Sequence, residues 1–236
     1  MRTTGWAVGP ACGLVILICA ISSAGAGDAK APYPAMAPLR QYQVTSPADE
    51  VALARSAAPA SIAGDADVLT LGSHGYETAA KGKNGFVCLV ERSWAAGFND
   101  PEFWNPKLRA PICFNPAAVR TVLPSYLERT HWVLAGVSKS DMVARTKAAL
   151  AANTFVMPEP GVMAFMLSKQ GYLSDADGHW HPHLMFFLAH IDGAAWGANL
   201  DGSPIYAAQG DPEPVTTFIV PVTKWSDGTP SVMETH

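Results

Sequence analysis

Positive charge is scarce in this chain: 16 Lys and Arg stand among 236 residues, against 20 Asp and Glu. No Lys/Arg cluster occurs, so the concentrated cations that displace counterions from a nucleic acid are missing and no such partner is expected. Cysteine is equally sparse at four, with no C-x-x-C spacing and no C-x-x-C-H haem attachment. Gly72-Ser73-His74-Gly75 is not the G-x-S-x-G of a nucleophile elbow, and Gly82-Lys83-Asn84-Gly85 lacks the Walker spacing. Beyond the first 26 residues no apolar run is long enough to span a bilayer, and no internal repeat is visible.

What is present begins with MRTTGWAVGPACGLVILICAISSAGAG. Arg2, an apolar stretch over Leu14–Ile21 and the small residues Ala24-Gly25-Ala26 form the pattern of a secretory signal peptide over residues 1–26. Gly9, Pro10 and Gly13 interrupt the apolar stretch and argue against an uncleaved anchor. Ile18 before Cys19 argues against a lipoprotein. Cleavage after Ala26 removes Arg2 and no acid, leaving a mature chain of formal charge −5. The expected location is periplasmic or extracellular. There the remaining pair, Cys88 and Cys113, is expected to form a disulfide.

Residues 27–45 are rich in Ala and Pro without an apolar period and read as an extended arm, a tether or a wrap. The fold proper, 46–236, opens with a short helix capped by Ser46, with Pro47 at its first position. Val68–Leu71, Tyr76–Ala80 and Phe86–Arg92 read as strands. Asn84-Gly85 between the last two predicts a hairpin, and the three together an antiparallel meander. Residues 93–116 read as a long irregular segment loaded with Trp94, Phe98, Phe103 and Trp104, either a ligand platform or a loop burying its own small core. The spacing then turns helical, with Pro124 marking a break and Ser138 capping a further helix. Short apolar runs follow at 162–167, 184–191, 204–208 and 215–222. Strands, then helices, then strands predict a single α+β domain with a mainly antiparallel sheet.

One stretch carries candidate chemistry. GHWHPHLMFF places His179, His181 and His183 on alternate positions. Neighbours two apart on a strand point the same way about 6.6 Å apart, which lets two histidines share one metal ion. The outer two would stand about 13 Å apart on a straight strand, so the backbone must bend or one histidine must serve otherwise. Asp175, Asp177, Glu91 and His190 are candidates for the remaining ligand. The competing account is a hydrogen-bonded corner in which the histidines bond backbone and Asp175 or Asp177.

Three blocks, GYETAAKGKNGFVCLVERSW, DPEFWNPKLRAPICFNP and KQGYLSDADGHWHPHLMFF, resemble a group of uncharacterised secreted bacterial proteins over Ser46 to Gly228. The resemblance implies a single exported bacterial domain and carries over no catalytic residue. Two functional classes follow. In the first, zinc, iron or manganese on the histidines activates water for hydrolase or lyase chemistry, with a nearby carboxylate moving protons. In the second, a non-catalytic envelope protein binds a small molecule or a partner through the aromatic loop.

Overall fold

Cap and turn residues place the elements. In the computed structural model, which describes residues 32–176, 178 and 180–231, Ser46 Oγ accepts the Asp49 N–H and starts helix α1 (Pro47–Arg55). A one-turn helix α2 (Ala60–Ala63) follows Pro59. Asn115 Oδ1 accepts the Ala118 N–H to cap α3 (Pro116–Thr121). At Val122 the chain breaks, because Pro124 has no N–H to continue the helical ladder, and α4 (Leu123–Leu134) begins. Ser138 caps α5 (Lys139–Ala151). The expected signal peptide and residues 27–31 of the arm lie outside the described residues, as do Asp177 and His179. Among the described residues no helix is long and apolar enough to cross a membrane.

Eight strands form one mixed, mostly antiparallel sheet, so the chain is an α+β domain. The strands are β1 (Asp67–Leu71), β2 (Tyr76–Ala80), β3 (Val87–Glu91), β4 (Ala110–Phe114), β5 (Met163–Met166), β6 (His183–Ala189), β7 (Tyr206–Gln209) and β8 (Val215–Pro221), in the order β2-β1-β3-β4-β5-β6-β8-β7. Two expectations are corrected. The first three strands are no meander: β2 pairs with β1, and β3 then lies parallel to β1 on its other side. The Asn84-Gly85 turn carries the chain beneath the start of β1. Lys83 and Asn84 N–H groups donate to the Asp65 carbonyl, and the Asn84 side chain donates to that of Ile62. These tertiary bonds override the hairpin preference of the dipeptide.

The irregular segment 93–116 also contains a strand, the central β4. Pro111 argues against a strand there, since it cannot donate to a ladder. It is tolerated because β4 pairs with β3 along its whole length but with β5 only from Cys113 onward.

Alternation along β3 divides the core. Cys88 and Val90 face α1 with Ala54, Val68 and Cys113, while Val87 and Leu89 face α3 and α4 with Ile112, Phe114, Ala118 and Phe187. Cys88 and Cys113 are directly opposed on β3 and β4 and form the expected disulfide. Replacing both by alanine is expected to lower the unfolding free energy by about 3.5 kcal/mol, the chain-entropy value for a loop of this length. Urea unfolding of the oxidised protein beside the double variant measures it. Equal midpoints would mean that the bridge constrains nothing in the unfolded chain.

A third cluster joins the arm, the aromatic loop and α4–α5. Tyr42 is fully buried against Trp94, with ring centres 4.9 Å apart, and its hydroxyl donates to the Trp104 carbonyl at 2.8 Å. Residues 32–45 therefore wrap the domain rather than tether it.

Candidate functional site

Among the described residues of GHWHPH, Trp180 and Pro182 are buried. His181 is exposed and His183 half-buried. The Trp180 indole donates to the Ser168 carbonyl and lies against Gly171, where a Cβ would meet the ring at 2.6 Å. His183 Nδ1 lies 2.8 Å from the carbonyl oxygen of His181, its ring stands edge-on to Trp180, and burial pushes its pKa down.

The proposed further ligands are dispersed. Asp175 accepts from Tyr33, Tyr172, Lys107 and Asn105, and Tyr172, then Tyr33 and Lys107, hold its carboxyl well below the usual carboxylate range. His190 lies just past the far end of β6, about 23 Å from His183 at strand rise. Glu91 lies on β3, with β4 and β5 between it and β6, about 14 Å across the sheet. Among the described residues no group of three or more His, Cys, Asp and Glu is placed to hold a metal ion, and His179 and Asp177 lie outside them.

Of the two readings of the aromatic loop, the burial of its rings matches a loop with its own small core. Trp94, Phe98 and Phe103 are buried, and Trp104 packs half-buried across the Phe103 ring. The loop buries its own core because the arm and α5 close over it, with Lys139 of α5 donating to the Phe98 carbonyl and lying over the Phe103 ring.

The concave site of the molecule lies beside that loop. Helix α3 packs on β4 and β5, and the same face of the sheet continues over β6, β8 and β7 into a cleft. Met185 and Phe187, Thr217 and Ile219, and Ala208 make the floor of a cleft of about 310 Å³. Val122, Ser125, Tyr126 and Arg129 form one wall. Phe155–Pro158 overhang it, with Val156 and Met157 45% and 37% exposed. Ala95–Gly97 close the inner end, where Glu213 meets Arg129, and Gln209–Asp211 line another part of the edge.

The inner end is polar and buried. Arg129 donates to the carbonyls of Trp94, Ala95 and Ala96 and pairs with Glu213 at 2.5 Å, while its guanidinium lies 4.4 Å over the Phe98 ring. The Arg129 charge is thus neutralised and its geometry fixed by four acceptors.

Behind Arg129 lies a second, much smaller void of about 10 Å³, lined in part by Glu91, Trp94, Tyr126 and Arg129. Glu91 is 7% exposed and its Oε1 has no hydrogen-bond partner. Burial pushes its carboxyl up to about 8, against the opposing pull of Arg129. Burial, and then Glu91, also raise the Tyr126 phenol.

In the sequence Glu91 stands out only as a possible metal ligand, and Arg129 and Glu213 belong to no motif. The signal for Arg129 was readable: Val122, Tyr126, Arg129 and Val133 follow helical spacing, so a charge sits on the apolar stripe of α4. Glu213 carried no such signal, because its partner comes from an element 84 residues away. No protein-family model, curated protein or solved structure matches the chain.

Proposed function

We propose that this is an exported, non-catalytic binding protein that holds a small, mainly apolar molecule in the cleft over β6, β8 and β7. The observation that carries the reading is an apolar cleft of about 310 Å³ whose overhang keeps Val156 and Met157 in contact with solvent. Cavities of this size are ordinary small-molecule sites, and apolar side chains held at a rim gain burial when the site fills. Binding is favoured over turnover because Arg129 and Glu213, the ion pair of the cleft, are committed to each other. Ser125 donates its hydroxyl to the Val122 carbonyl, Arg129 is held by three carbonyls and the Glu213 carboxylate, and neither histidine nor cysteine is among the described residues that line the cleft. The signal-like N-terminus and the disulfide support export.

Titration of the mature protein with the neutral apolar dye N-phenyl-1-naphthylamine tests this. Saturable one-to-one fluorescence enhancement is expected. Thr217→Trp, which fills the floor of the cleft, is expected to weaken it at least about tenfold with an unchanged melting temperature, since a filled pocket has no room for the dye. Non-saturable enhancement, or equal affinity in the variant, would remove the cleft as the site.

A further inference from the structure

We propose that Glu91 is the polar anchor of this cleft and selects a ligand that ends in a single hydroxyl group on an apolar body. The inference rests on the binding reading above and adds the chemistry of the ligand's head.

A carboxyl group with an unpartnered oxygen is a costly occupant of a core position. Leaving one buried donor or acceptor unsatisfied costs more than an apolar side chain of the same shape would at that place. Glu91 nevertheless sits at the end of the apolar run Val87–Val90, aimed at the face shared with α4. Ala95, Tyr126 and Arg129 line both the cleft and the void, so these residues form the partition between them. A ligand whose body lies on Met185 and Phe187 has its inner end at that partition, next to the void that Glu91 lines.

Size and charge then choose the head. A void of about 10 Å³ accepts one small polar group, about the volume that holds a water oxygen, and is too small for a carboxylate or a phosphate. Two guanidinium groups, Arg92 and Arg129, line the same void and are already paired with Glu50 and Glu213, so neither leaves a free carboxylate to hold an ammonium. The carboxyl is held largely neutral near pH 7, so it both donates and accepts, as a hydroxyl does. A neutral alcohol satisfies every one of these conditions.

Displacement of N-phenyl-1-naphthylamine by 1-octanol, octanoate and octylamine tests the proposal, because the three share one body and differ only in the head. Octanol is expected to compete about tenfold better than either of the others, the scale of one buried hydrogen bond recovered. Glu91→Leu is expected to bring the three to equal affinity while dye binding persists, and Glu91→Gln, which keeps a donor and an acceptor, to retain the preference. Equal competition by all three in the wild-type protein, or a preference for octanol that survives in Glu91→Leu, would overturn the anchor and leave the cleft reading standing. Loss of folding in Glu91→Leu leaves the decision to Glu91→Gln and the wild-type series, where a lost preference in the former or none in the latter also overturns it. Failure of the dye to bind wild-type protein would remove the cleft reading, and the anchor with it.

Discussion

Glu50→Ala is expected to lower the unfolding free energy by about 3–5 kcal/mol, a large share of the stability of an ordinary domain. Glu50 of α1 and Arg92 after β3 form an ion pair at 2.7 Å with side chains 5% and 0% exposed. Each also holds backbone: Glu50 Oε1 accepts the Leu71 N–H, while Arg92 donates to the carbonyls of Val90 and Tyr42. The arm and α1, which are consecutive, and the more distant β1 and β3 therefore meet at one charge pair. Removing the carboxylate leaves a guanidinium in a core with only carbonyls for company, and the cost is mainly that of the orphaned charge.

Two further outcomes separate this account from simple loss of packing. Glu50→Leu/Arg92→Met, which removes both charges, is expected to lose less than the sum of the two single variants in urea unfolding. In Glu50→Ala the arm around Tyr42 is expected to become sensitive to limited proteolysis before the domain unfolds, because Arg92 is its inner tie. Additive single variants, or an arm as resistant as in the wild type, would show that the pair does not couple these segments.

How far the sequence discloses this arrangement depends on how local each determinant is. Ser46, Asn115 and Ser138 satisfy helix N–H groups three residues away, and Pro124 interrupts a ladder within one turn, so the helices are legible from the spelling alone. The apolar runs at 162–167, 184–191, 204–208 and 215–222 overlap β5 to β8 for the same reason. Strand order is a different matter. Asn84-Gly85 has the residues of a tight hairpin, yet the bonds that set its path come from Ile62 and Asp65, and only the fold brings these within reach. The short run Pro111–Phe114 gives no sign of being central, since its neighbours β3 and β5 lie more than twenty and about fifty residues away.

The candidate site is harder still. The histidines drew the eye because they are adjacent in sequence, while Glu91, Arg129 and Glu213 are scattered over more than a hundred residues. Each was a charge at an apolar position or in a turn, and a charge in that position is informative only once its surroundings are known. Trp180 and Pro182 show the same limit from the other side: they turn inward and carry the packing that a histidine-centred reading gives to their neighbours.

Exchanging Glu91 for Gln is expected to remove a large pH-dependence of stability. In the unfolded chain the carboxyl has its ordinary value of 4.5, and in the fold burial raises it to about 8. Below pH 4.5 the group is protonated in both states and adds no difference. As pH rises past 4.5 the unfolded chain releases this proton while the folded chain keeps it, which favours unfolding increasingly until pH passes about 8. The full effect of such a gap is of the order of 5 kcal/mol. Urea unfolding of the two proteins between pH 4.5 and 9 reads it as a difference: small at the acid end, and growing in favour of the Gln variant by several kcal/mol at the alkaline end. Taking the difference also cancels His183, whose buried ring titrates in both proteins and whose lowered pKa weakens the fold on the acid side. The two proteins share every other ionisable group, so the carboxyl of Glu91 is the one group whose change the comparison isolates. Parallel curves would mean that Glu91 ionises in the fold as easily as in the unfolded chain. It would then be a solvated carboxylate, and the void beside it would be open to water rather than reserved for a hydroxyl.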